Sequence, residues 1–186
     1  MEEDEKEAGT LVIDTNVLIS AMIRSEGITR LSLLFLANNP SNRLVCPEIA
    51  AKEVERHYAE IARRAGVPSK LVRAGLDELL AKMRLVDESE FSAEMTSSKT
   101  LVNDENDTSF AALAVKNRPS VIVTYDKRGY KEDELRENGV LVLTPTEALK
   151  HTGIELSKIE IKRKRKGGAM AVIARILALI GVKEKD

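Results

Sequence analysis

The chain has 186 residues, 43% of them hydrophobic, with 29 Lys and Arg against 30 Asp and Glu for a net charge of -1. That length and apolar content suit one domain with a real core, and the balance of charge rules out a chain that is polycationic throughout. Aromatics are 3% and Trp is absent, which argues against a module built on rows of base-stacking rings; one cysteine, Cys46, and two histidines, His57 and His151, leave no intrachain disulfide and no Cys or His metal cluster.

In chain order, Glu2, Glu3, Asp4, Glu5 and Glu7 make an acidic start, read as disordered. It lacks the basic and apolar pattern of a secretory signal, so a soluble, cytoplasmic protein is expected. Thr10 to Ile13 is continuous, apolar and β-branched, the pattern of a buried strand. Val17, Leu18, Ala21 and Met22 then repeat at helical spacing up to a break at Ser25-Glu26-Gly27. Residues 29–37 predict a second helix, and Leu44-Val45-Cys46 a short strand. Pro47 suits a helix start, and that helix is predicted to run unbroken to about Ala65, with Ile49, Val54, Tyr58, Ile61 and Ala62 on its apolar side and Gly66 as its stop.

A helix over 70–82 follows, with Leu71, Leu76, Leu79 and Leu80 as its apolar face, then a short strand over 84–86. Residues 103–107 form a polar turn that leads into an alanine-rich helix over 108–116. Val121 to Thr124 is the second strong strand, residues 131–137 a short charged helix ended by Asn138-Gly139, Val140 to Leu143 a third strand, and Pro145 opens a brief helix. Strands alternating with helices imply a mostly parallel sheet covered on both faces. We divide the chain into an acidic segment 1–8, an α/β domain 9–150 and an extension 151–186.

Ligands of open parallel sheets bind at the carboxyl ends of the strands. Asp14 follows the first strand there, and Asp126 lies just past the second. The turn before Asp107 can aim it at the same edge, and Glu53 sits about two turns into its helix with the apolar residues on the other side. Taken singly, each acid has an ordinary reading: Asp14, Asp126 and Asp107 as caps or turn formers, and Glu53 as a solvated helix residue paired with His57. Taken together, four like charges repel unless a cation sits among them, and oxygen ligands select a hard ion, Mg2+ or Mn2+.

Four segments in this order, Asp14-Thr15-Asn16-Val17-Leu18, Pro47 to Glu53, Asp107 to Ala114 and Val123-Thr124-Tyr125-Asp126, resemble the motifs of PIN-domain ribonucleases, including the VapC-type proteins. The resemblance spans roughly residues 9 to 150. It implies a three-layer α/β/α fold around a mostly parallel sheet. It also implies a metal-dependent endoribonuclease site at Asp14, Glu53, Asp107 and Asp126, with Thr124 ordering the site and Asn16 as a supporting polar neighbour. Asp104 is an alternative ligand to Asp107. RNA is the implied substrate. The implied settings are the toxin of a toxin–antitoxin pair, partnered by an antitoxin protein, or an RNA-processing or quality-control nuclease. A catalytically silent RNA-binding scaffold is the rival from another class.

Other enzyme classes fit less well. A haloacid-dehalogenase-type phosphatase needs a second Asp where Asn16 stands, a P-loop NTPase needs a Gly-rich loop that the chain lacks, and a receiver domain has no place for Glu53 on a helix. Lys127 and Arg128 could meet phosphate, though solvation at the surface is the plainer reading; Tyr125 and Tyr130 could meet a base, though packing is plainer. In the extension, residues 158–162 alternate like an edge strand. Lys162, Arg163, Lys164, Arg165 and Lys166 form a basic run that is either an RNA grip or a solvated linker. Gly167-Gly168 then lead to an apolar helix over 169–180, whose wide stripe needs cover from its own domain or from a second copy in a homodimer, more than from a membrane surface.

Overall fold

The computed structural model describes residues 9–24 and 27–153. The acidic segment, Ser25 and Glu26, the alternating strand, the basic run Lys162–Lys166 and the apolar helix of the extension lie outside the described residues.

Among these residues the elements follow as β1 (Gly9–Ile13), α1 (Thr15–Ile23), α2 (Ile28–Asn38), β2 (Asn42–Pro47), α3 (Glu48–Arg56), α4 (Tyr58–Ala65), α5 (Ser69–Leu80), β3 (Arg84–Val86), α6 (Ser92–Ser98), α7 (Thr108–Lys116), β4 (Ser120–Val123), α8 (Glu132–Glu137), β5 (Val140–Leu143) and α9 (Pro145–His151). All strand pairs are parallel, in the order β3-β2-β1-β4-β5. The chain winds outward from β1 to β3, then returns to lay β4 on the other side of β1. Right-handed crossovers put helices made in the two directions on opposite faces. Accordingly α2 packs with α9 on one side, while α7 packs on β1, β2 and β4 with α6 behind it on the other. The result is a three-layer α/β/α fold around a parallel sheet.

The core is built from residue types suited to a sheet buried on both faces. Leu11, Val12, Ile13, Val121, Ile122 and Val123 are all buried, as parallel strands covered twice require. Residues Thr108 to Val115 of α7 are buried without exception, and the alanines there let the helix lie close on the strands.

Three expectations need correction. The helix predicted from Pro47 to Ala65 is two helices, with His57 at φ -100 and ψ 6 between them. The His57 N–H donates to Val54 O, a tighter turn than an α-helix makes. The bend lets α3 pack on β2 while α4 packs against α1 and α5, and Val54 and Ile61 are both buried. Ile49 is 46% exposed and Leu71 is 54% exposed, against their expected place on apolar faces. The buried residues are Ala50, Ala51 and Val54 on α3 and Val72, Leu76 and Leu79 on α5, and Ile49 and Leu71 each stand one position off those stripes.

Candidate active site

The strand order reverses between β1 and β4, the switch point at whose carboxyl edge open parallel sheets bind their ligands. The register pairs Ile13 with Val123, so Asp14 and Thr124 leave the sheet side by side. Asp14 is 4% exposed. Its Oδ2 accepts from Thr124 Oγ1 at 2.7 Å, Asn16 Nδ2 at 2.9 Å and Tyr130 Oη at 3.1 Å. Its Oδ1 accepts from the Asn16 N–H at 3.3 Å, which makes Asp14 the N-cap of α1. The two readings of this acid, cap and site residue, are therefore compatible: the cap uses one oxygen weakly, and three donors fix the other. Burial raises the Asp14 carboxyl above its usual range, the bonds from Thr124, Asn16 and Tyr130 pull it back, and the charge of Glu53 adds to the rise.

Asn16 and Thr124 both stand where the sequence suggested. The Asn16 amide donates to Asp14 and to Thr124 Oγ1 at 3.0 Å, and its oxygen accepts the Tyr125 N–H at 3.1 Å. Thr124 Oγ1 also accepts the Asp126 N–H at 3.0 Å. One buried hydroxyl thus ties Asp14 to the loop that carries Asp126. Asp126 is exposed, with Arg128 Nε 3.5 Å from its Oδ1.

Asp107 is half-buried at the entry to α7. Its carboxyl is pushed up to about 7, first by burial and then by the negative charges of Asp14, Asp104, Asp126 and Glu53. Repulsion from all four places them within electrostatic reach of Asp107. Asp104 is exposed, and its Oδ1 caps the following turn by accepting the Asn106 N–H at 3.0 Å, so a local role already occupies it. Glu53 faces the cluster from α3, half-buried. As the side chains are turned, no three His, Cys, Asp or Glu among the described residues form a group set to hold a metal ion. Like charges at one edge turn apart, and side-chain rotation would have to bring the carboxylates together on a shared ion.

Two further residues shape this edge and were missed. Tyr130, expected to pack, is 3% exposed and gives its hydroxyl to Asp14. Burial and the charges of Asp14 and Asp107 hold its phenol well above the usual range, so it stays a donor. Gly129 lies directly against the Asp107 carboxylate, and a Cβ there would overlap it. The loop holding both is fastened to the segment before Asp107: Asn103 N donates to Gly129 O at 2.7 Å, Asn103 Nδ2 to Arg128 O at 2.9 Å, and Lys131 N to Leu101 O at 3.0 Å. A glycine six residues after the end of β4 has no periodic signal; only its closeness to Asp126 hinted at it. Lys127 is taken up structurally, 2.8 Å from Glu147 of α9, and this bond holds the Glu147 carboxyl down to about 2. Arg128 is exposed, as expected.

The donor set is all oxygen, densely negative and partly buried, so it fits a hard divalent cation and no soft one. Among the described residues, no helix is long and apolar enough to cross a membrane.

No curated protein sequence matches the chain. Several solved structures are similar. VapBC2 from Rickettsia felis, solved bound to a DNA fragment from their promoter, is 20% identical with a TM-score of 0.48 and covers 72% of this chain and 96% of its own. PAE2754 from Pyrobaculum aerophilum is 14% identical with a TM-score of 0.49 and covers 82% of this chain and 96% of its own. Residues 12–132 match the model of the PIN domain, a family of nucleases, and this stretch runs from the end of β1 to the start of α8 with all four acids, so the chain belongs to the PIN-domain family.

Proposed function

We propose that this nuclease is an Mg2+- or Mn2+-dependent ribonuclease that hydrolyses RNA phosphodiester bonds internally, with Asp14, Glu53, Asp107 and Asp126 as its metal-holding and catalytic residues. The observation that carries the reading is a buried Asp14, held at the switch point of the sheet by Thr124, Asn16 and Tyr130, beside an Asp107 carboxyl that burial and the charges of Asp14, Asp104, Asp126 and Glu53 push up to about 7. A fold that gathers acids at the switch point of its sheet accepts a cost that a divalent cation would offset.

When bound, the ion supplies Lewis acidity toward the phosphate and a lowered pKa for a water. The chain's own residues do the rest. Asp14 keeps a fixed orientation because Thr124, Asn16 and Tyr130 all donate to one oxygen, leaving Oδ1 as its freer atom. Asp126 presents its carboxylate to solvent from a loop whose backbone is held by Thr124 and Asn16. Gly129 leaves room for the Asp107 carboxylate. Asp104 is the alternative fourth acid, although its capping bond favours Asp107. The basic run Lys162, Arg163, Lys164, Arg165 and Lys166 is a further RNA contact, and residues 151–186 act as an extension to the nuclease domain at 9–150.

Cleavage of mixed single-stranded and structured RNAs, with Mn2+ and with EDTA, tests the reading in the parent, Asp14→Asn and Asp126→Asn. Mn2+-dependent internal cuts by the parent alone support it. Full activity in both variants would place the catalytic site elsewhere, and binding without cutting under every metal condition would leave the silent scaffold as the better account. Two biological settings share the chemistry. Growth arrest on expression, relieved by a co-expressed antitoxin protein, marks the toxin; no arrest marks the processing nuclease.

A further inference from the structure

We propose that Tyr125 is the residue on which a nucleobase beside the scissile phosphate stacks, an inference that rests on the ribonuclease reading. The chain has three Tyr, three Phe and no Trp. Five of these six rings are buried or half-buried, and Tyr125 is the exposed one, at 45%. Its exposure is not that of a loose loop residue. The phenol oxygen lies 2.7 Å from Thr29 Oγ1, which is itself 3.2 Å from Ser20 Oγ, and Thr29 is buried. At the other end, the Tyr125 N–H is held by Asn16, whose amide also binds Asp14. The ring is therefore fixed at its polar tip and at its backbone while its apolar surface meets water.

Position gives this ring its use. Tyr125 stands between Thr124, which binds Asp14, and Asp126, so it borders the acid cluster by one residue on either side. A nucleoside is joined directly to its phosphate, and a phosphate at the acids brings the neighbouring base to within one nucleotide of them. A flat apolar face already held still loses little conformational entropy when a base covers it. Stacking tolerates any base, so the expected preference is for unpaired RNA over duplex, whose bases are already stacked. The rival is a mere strap, in which the phenol oxygen ties the loop to α2 through Thr29.

The full-length parent, Tyr125→Phe and Tyr125→Leu separate the two. The readouts are kcat and KM on a short single-stranded RNA in Mn2+, and quenching of a 2-aminopurine RNA in Ca2+. Stacking predicts that Tyr125→Leu raises KM about tenfold or more, moves kcat less and loses the quenching. Tyr125→Phe, which keeps the ring, stays near the parent. Equal impairment of both variants, with matching drops in melting temperature, identifies a strap and overturns the proposal. Parent-like behaviour of both also overturns it. Quenching by the parent and Tyr125→Phe but not Tyr125→Leu, in a protein that cuts no RNA, upholds stacking while the ribonuclease reading fails.

Discussion

The Thr124 hydroxyl donates to Asp14 Oδ2 at 2.7 Å, joining two strand ends 110 positions apart in the chain. The same hydroxyl accepts from Asn16 and from the Asp126 backbone. Thr124→Val keeps the shape and deletes all three bonds inside a buried site. It is expected to cost about 2 kcal/mol of stability and to weaken Mn2+ binding by roughly 10- to 100-fold, while Thr124→Ser stays close to the parent. Calorimetric Mn2+ titration with thermal melts measures both; a Val variant that binds Mn2+ like the parent would show that Thr124 does not order the site.

Gly129→Ala separates site from fold. The added methyl overlaps the end of the short Asp107 side chain, and that side chain can rotate away without moving the backbone. Mn2+ affinity and cleavage are expected to fall at least tenfold, with little change in melting temperature. A double-mutant cycle with Asp107→Ala should show strong coupling; additive losses would mean that Gly129 acts elsewhere.

The Asp107 carboxyl, at about 7 against an ordinary 3.8, sets a pH dependence of definite sign. Between these values the folded protein holds a proton that the unfolded chain has lost, so with metal chelated this group makes stability fall as pH rises through that window. Metal must displace the same proton, so the melting-temperature gain from Mn2+ should be larger at pH 8 than at pH 5. Melts at both pH values, with EDTA and with Mn2+, test this. In Asp107→Asn the pH dependence of the gain should flatten, and an unchanged one would assign it to another acid.

Packing differs sharply between positions that look alike in sequence. Leu113→Ala in α7 opens a cavity beneath the sheet and should cost about 2–5 kcal/mol. Ile49→Ala and Leu71→Ala should cost less than about 1 kcal/mol, since both side chains already meet water. Denaturant melts rank the three, and a large loss at Ile49 or Leu71 would mean that the face is covered in solution.

These contrasts mark what the sequence made legible. Buried parallel strands announce themselves by continuous β-branched runs, so Thr10–Ile13 and Val121–Val123 were readable, and with them Asp14 and the loop of Asp126. The order of the motifs made Asp107 and Glu53 readable as part of one edge. The break at His57 was not, because His is an ordinary helix residue and the bend comes from packing α4 onto α1. Ile49 and Leu71 were misplaced because an apolar stripe read by eye is one residue wider than the face that is buried. Tyr130 and Gly129 act through approaches to residues 116 and 22 positions away, and local pattern carries no trace of such distances.

The central claim is that these carboxylates share a metal ion, and anomalous diffraction from an Mn2+-soaked crystal tests it most directly. The account predicts a manganese peak bound by Asp14 and Asp126 with Asp107 or Glu53 turned toward it, and no peak in Asp14→Asn. Full Mn2+-dependent cleavage from a protein whose manganese sits away from Asp14 would contradict it.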